Sequence, residues 1–188
     1  EGTFWLGTHG GGLNRFDRAS ESFRSYLHDP YDPNSISHNE IRWISEDTSG
    51  YLWIGTNGGG LNRFDRKTEK FTRYGHDPED PRSLSSDFAR VVFQDSEGVI
   101  WVGTQGLGLN IFDEGSGTFA HLRADPDDSL SLSSDHILSI FEDSSGLLWF
   151  GTWGGGLNMY DRGTGRFTSY TVEDGLPSNA VYGVLEDD

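Results

Sequence analysis

The chain has 188 residues, with 30 Asp and Glu against 14 Lys and Arg, a formal net charge of −16 and no cysteine. That balance argues against a basic nucleic-acid stripe and against docking on anionic lipid, and the lack of thiols excludes disulfides and thiolate metal centres. Twenty-six glycines and 13% aromatic residues without helix-favouring runs suit short strands joined by glycine turns, and no apolar stretch approaches the ~18–20 residues of a membrane span.

In chain order, the run FWLGTHGGGLNRFDR (4–18) returns as LWIGTNGGGLNRFDR (52–66), IWVGTQGLGLNIFDE (100–114) and LWFGTWGGGLNMYDR (148–162). Trp5, Trp53, Trp101 and Trp149 keep a constant step of 48 residues. A period without drift marks a repeat architecture. Short aromatic runs follow at Phe23–Tyr26, Phe71–Tyr74, Phe119–Leu122 and Phe167–Tyr170. A polar Asp/Pro/Ser loop comes next, and then an apolar run with an acidic end: IRWISED (41–47), ARVVFQD (89–95), ILSIFED (137–143) and VYGVLED (181–187).

Each repeat thus holds four strand-like runs. In the second copy they are Tyr51–Thr56, Leu61–Asp65, Phe71–Tyr74 and Phe88–Phe93. The last of these is apolar enough for the inner position, called a; the others are b, c and d going outward. Four antiparallel strands per 40–50 residues make the blade of a β-propeller. The sequence therefore predicts an all-β propeller over 1–188, with repeats 4–51, 52–99, 100–147 and 148–188. The chain opens in mid-motif, which reads as a piece of something longer. Its final run, Ala180–Glu186, is expected to complete the first blade in a 3+1 closure.

The turns have local explanations. Asp47, Asp95 and Asp143, each followed by Gly three residues later, suit side-chain acceptance of backbone N–H groups. The spacing is shared with calcium loops, but the further oxygen ligands are missing. Triple glycines such as Gly58-Gly59-Gly60 precede a strand, not the helix that a phosphate loop needs, and are read as tight turns.

The phrase ED-x-x-G-x-L-W-I-G-T, then GGGLNRFD, then F-T-x-Y resembles the two-component regulator propeller repeat, and the resemblance covers residues 3–188. It implies the extracytoplasmic, periplasmic sensor region of a hybrid two-component histidine kinase or related receptor. It also implies propellers of seven blades, an output module elsewhere in the parent, and recognition of oligosaccharides by several members. This chain has four repeats and no output domain.

Positions that vary while the scaffold repeats are the candidate ligand contacts. After Gly-Thr in the b–c loop stand His9, Asn57, Gln105 and Trp153; early in run a stand Arg42, Arg90, Leu138 and Tyr182, and one residue later Trp43. Amides, guanidinium groups and aromatics suit a sugar. The predicted binding set is His9, Arg42, Trp43, Asn57, Arg90, Gln105, Trp153 and Tyr182. Arg42 and Arg90 are read either as partners for a uronic-acid carboxylate or as neutralisers of Asp87 or Asp135. Trp153 is read as a contact or as packing on a neighbouring blade. Six histidines lack metal-ligand spacing, and no nucleophile elbow occurs. A non-catalytic binder without cofactor or metal is expected. A structural or protein-docking propeller and a propeller lyase or glycosidase are the alternatives. Two chains closing an eight-bladed ring are the expected assembly, in place of a four-bladed monomer.

Overall fold

The computed structural model describes residues 2–187 and contains strands with one short 3-10 turn. Two compact units divide the chain, 1–92 and 93–188. The first holds β1 (Phe4–Gly7), β2 (Leu13–Asp17), β3 (Ser22–Tyr26), β4 (Ile41–Glu46), β5 (Leu52–Thr56), β6 (Leu61–Asp65) and β7 (Lys70–Tyr74). Strand β8 (Ala89–Gln94) leads into the second. There follow β9 (Ile100–Thr104), β10 (Leu109–Asp113), β11 (Thr118–Leu122), β12 (Ile137–Glu142), β13 (Leu148–Thr152), β14 (Leu157–Asp161), β15 (Arg166–Tyr170) and the 3-10 turn Val172–Asp174.

The sheets run β1-β2-β3, β4-β5-β6-β7, β8-β9-β10-β11 and β12-β13-β14-β15. Neighbouring strands within the first, second and fourth sheets pair antiparallel, as do β9, β10 and β11, and the register repeats: Trp53 lies opposite Arg63 and Trp149 opposite Met159. This is the four-repeat propeller architecture predicted from the 48-residue period. Among the described residues the first sheet has three strands, and residues 181–187, the run expected to complete the first blade, carry no strand assignment. A strand exists only where its ladder is filled, and the segment's one bridge among the described residues joins Ala180 to Trp153.

The glycine turns follow from backbone geometry. Gly60 has φ +74°, and a Cβ there would meet the Tyr74 carbonyl oxygen at 2.3 Å. Only glycine fits such a left-handed, crowded position. In the acidic turns, Asp47 Oδ1 accepts N–H bonds from Ser49 and Tyr51, each at 2.9 Å. Its Oδ2 accepts Trp53 Nε1–H at 2.8 Å. Asp95 holds Trp101 (2.7 Å) and Asp143 holds Trp149 (2.7 Å) in the same way. The turn aspartate thus also clasps the repeat's tryptophan. The indole hydrogen bond, aided by backbone N–H donors, holds the Asp143 carboxyl below its ordinary range. The c–d turns use Asp17, Asp65, Asp113 and Asp161 likewise, and each carboxyl is lowered by hydrogen bonds from its own turn.

In the first unit the core lies between the first two sheets. Leu13, Ile36, Leu52, Ile54, Phe64 and Phe71 are buried together, with Trp5 and Tyr26 packed against them. Trp5 meets Phe64 edge-on at 5.3 Å and Tyr26 meets Phe64 at 5.0 Å, the offset geometry that aromatic quadrupoles favour. Ile36 comes from the loop between β3 and β4, whose backbone is tied down by Phe71 N–H to Asn34 O (2.9 Å) and Ser37 N–H to Asn62 Oδ1 (2.9 Å). The second unit repeats this belt: Phe167 N–H to Leu130 O (2.8 Å) and Ser133 N–H to Asn158 Oδ1 (2.9 Å). There Trp101 packs on Phe150 and Tyr160, each at 5.5 Å.

Candidate functional site

The b–c loops put the variable residues at one equivalent place per repeat. His9 bridges to Glu40, Asn57 to Phe88, Gln105 to His136 and Trp153 to Ala180. Each b–c loop therefore lies beside the residue that precedes the next inner strand. In the first unit this joins three side chains. Asn57 Nδ2 donates to Glu40 Oε2 at 2.6 Å, and His9 Nε2 lies 3.2 Å from Glu40 Oε1.

The inner strands carry a second feature. The β4–β5 register shifts between Ile41 and Trp43, and the β12–β13 register between Ile137 and Ser139. Arg42 and Leu138 are the bulged residues, and both occupy the position singled out in the sequence. A bulge re-aims a side chain away from the ladder. Arg42 and Trp43 line a shallow cavity of about 250 Å³ with Gly7, Ile41 and Ile44. Neither Arg42 nor Arg90 forms an ion pair among the described residues. Asp87 and Asp135, the proposed neutralisers, instead accept backbone N–H groups from His76 (2.7 Å) and Ala124 (2.8 Å).

In the second unit Trp153 and Tyr182 meet edge to face, with centroids 6.0 Å apart. They are 54% and 63% exposed, whereas the repeat tryptophan Trp101 is 3% exposed. The structure thus brings His9 together with Asn57 through Glu40, Arg42 with Trp43, and Trp153 with Tyr182. Arg90 is half-buried on β8, and Gln105 lies on its b–c loop beside His136.

Glu40, Phe88 and His136 sit at the same places, and Phe88 is 46% exposed. Sequence reasoning passed over them. Their signal was available, since Glu40, Phe88, His136 and Ala180 also differ between copies that otherwise repeat. Among the described residues no group of three or more His, Asp or Glu is arranged to hold a metal ion, and no helix is long and apolar enough to cross a membrane.

The family model described as two component regulator propeller matches residues 35–58, 83–106 and 131–154, one stretch per loop-to-strand junction. The chain carries two-component regulator propeller repeats. Solved structures agree. The extracellular domain of a hybrid two component system from B. thetaiotaomicron is 25% identical, with a TM-score of 0.74 over 89% of this chain and 22% of that one. The extracellular domain of a one component system from the same organism is 28% identical, with a TM-score of 0.70 over 89% of this chain and 23% of that one. The propeller chain thus spans less than a quarter of the length of these two domains. Virginiamycin B lyase from Staphylococcus aureus shares the fold at 18% identity and a TM-score of 0.62, over 90% of this chain and 52% of that one. No curated protein matches the chain.

Proposed function

We propose that these regulator-propeller repeats form a non-catalytic, ligand-binding part of an extracytoplasmic sensor, and that the ligand is an oligosaccharide. The observation that carries this reading is the solvated aromatic pair Trp153 and Tyr182. Exposed aromatic faces bind the C–H faces of sugar rings, and nearby polar groups select hydroxyl patterns. Arg42, bulged and without an ion pair among the described residues, adds an anion contact in the first unit. A guanidinium favours carboxylate-bearing sugars through paired N–H donors. An extracytoplasmic place is supported by the extracellular setting of the two similar domains.

A catalytic reading has less support. The turn carboxylates are engaged by backbone donors, and those of Asp47, Asp95 and Asp143 by indole donors as well, as structural acceptors are. Isothermal titration with neutral cello- and xylo-oligosaccharides and with acidic oligogalacturonates tests the proposal, with product analysis by chromatography after incubation. Saturable heat without new products is expected. Shortened products would make the chain an enzyme. Absence of heat across both classes would leave it a scaffold.

A further inference from the structure

Three loop-end residues of the first unit, Glu40, Asn57 and Phe88, differ from their counterparts in the other copies, yet stand on backbone that the copies hold in common. Asn57 N–H donates to Glu40 O at 3.0 Å, and Asn57 bridges to Phe88. The residue before Phe88 is tied at two atoms. Asp87 O accepts Gly58 N–H (3.0 Å) and Gly60 N–H (2.8 Å), and Asp87 Oδ1 accepts His76 N–H (2.7 Å). The residue before Glu40 is tied in the same way. Asn39 O accepts Gly10 N–H (3.1 Å) and Gly12 N–H (2.9 Å), and Asn39 Oδ1 accepts His28 N–H (2.7 Å). Side chains on such a frame are positioned before any ligand arrives, so little ordering cost is left for binding.

Two features of these side chains are not spent on packing. Phe88 is 46% exposed on its fixed backbone. Its ring reaches over Gly58, where an added Cβ would lie 3.9 Å from Phe88 Cε1, and the glycine has no side chain with which to cover it. The second feature is the Glu40 carboxylate, which is 24% exposed and held at both oxygens. Oε2 accepts Asn57 Nδ2–H at 2.6 Å, and Oε1 lies 3.2 Å from His9 Nε2. A carboxylate has about four lone-pair sites, so one neighbour on each oxygen leaves each with room for a further donor.

The chemistry of this group is specific. A fixed carboxylate accepts hydroxyl hydrogens in short bonds about twice as strong as neutral ones, and two oxygens side by side suit two adjacent hydroxyls. An exposed ring nearby suits the C–H face of the same sugar. A ligand carboxylate brought to the same place meets a like charge. Glu40 thus works against Arg42, two positions along the chain, whose guanidinium favours acidic sugars.

We propose that Glu40, Asn57 and Phe88 form a subsite for a neutral sugar within the first unit. Phe88 stacks on the sugar ring, Asn57 fixes the Glu40 carboxylate, and Glu40 accepts adjacent hydroxyls and sets the preference for neutral over acidic sugar. The subsite rests on the oligosaccharide reading above and adds to it the residue that discriminates.

Isothermal titration of wild type, Glu40→Gln, Phe88→Ala and Phe88→Trp tests the proposal, with neutral cello- and xylo-oligosaccharides and acidic oligogalacturonate as probes. Glu40→Gln keeps the shape and one acceptor oxygen but removes the charge. It should weaken the neutral sugars by about five- to tenfold and leave oligogalacturonate equally or more tightly bound. Phe88→Ala should weaken the neutral sugars by about fivefold or more, and Phe88→Trp should retain them. Melting temperatures within about 2 °C of wild type show that the fold is intact. A role for Glu40 in tying the loops alone would lower both sugar classes equally, and that result would overturn the proposal. So would neutral-sugar binding that falls in the Trp153→Ala, Tyr182→Ala double variant but is indifferent to Glu40→Gln and Phe88→Ala, or binding of oligogalacturonate alone; both leave the sensor reading standing. Absence of binding by every sugar in wild type would overturn the subsite and the oligosaccharide reading together.

Discussion

Two tryptophans only 52 positions apart should respond very differently to truncation. Trp101 is 3% exposed, touches Phe150 and Tyr160, and donates its indole N–H to the buried Asp95. Trp101→Ala removes the packing and leaves the Asp95 carboxylate short of one donor. Truncation of a buried Trp costs about 3–5 kcal/mol. For a domain of this size, 1 kcal/mol moves the melting temperature by about 2–4 °C, so a drop on the order of 10 °C is expected. Trp153 is 54% exposed, and its neighbour Tyr182 is 63% exposed. Surface substitutions of this kind usually stay within about 0.5 kcal/mol, so Trp153→Ala should shift melting by less than about 2 °C. Differential scanning calorimetry reads both values. Equal drops would place Trp153 in the packing and refute the division between scaffold and site residues.

Three further outcomes follow from the turns. Asp95→Ala should cost about 2–3 kcal/mol, because Arg162 Nη1, 3.1 Å from Asp95, loses a charge-assisted contact along with the indole while Glu97 and Glu142 still hold it; Asp47→Ala, with the indole and turn donors alone, should cost about 1–2 kcal/mol, and urea denaturation compares them. Asp143 is depressed in the folded state, so its contribution is complete above the unfolded value near 3.8 and is lost as pH falls through the folded value. The melting gap between wild type and Asp143→Ala should therefore be constant from pH 7 to about 5 and narrow below about 4, and a constant gap down to pH 3 would remove the charge role. Gly60→Ala should destabilise by at least about 1–3 kcal/mol, since it forces a non-glycine residue into a left-handed conformation against the Tyr74 carbonyl; an unchanged urea midpoint would show that the turn relaxes freely.

Much of the fold was legible because the repeat forces local signals to agree. Trp, Gly and Asp recur in phase, and each has one mechanical task in the blade: packing, left-handed turning and clasping donors. The Asp–Trp clasp was not legible, since the partners lie six residues apart across a turn and only the hairpin brings Oδ2 to Nε1. The final run shows a related limit of local pattern. Its apolar pattern specifies a strand, but the ladder depends on a partner that the pattern does not contain. At the candidate site, variation among copies singles out Trp153, Tyr182 and Arg42 one by one. Glu40 varies among the copies as well, but variation at a single position does not show that it ties His9 to Asn57, which only the fold brings within reach.

The proposed function assigns sugar binding to the variable loop-end residues and the fold to the repeated ones. Titration of an oligogalacturonate into wild type, into Arg42→Ala and into the double variant Trp153→Ala with Tyr182→Ala tests it most directly, with cello-oligosaccharide as the neutral control. Loss of the aromatic pair should weaken both sugars by about tenfold or more, at an unchanged melting temperature. Loss of Arg42 should weaken the acidic sugar more than the neutral one. Undiminished binding of both sugars by all variants would contradict the account.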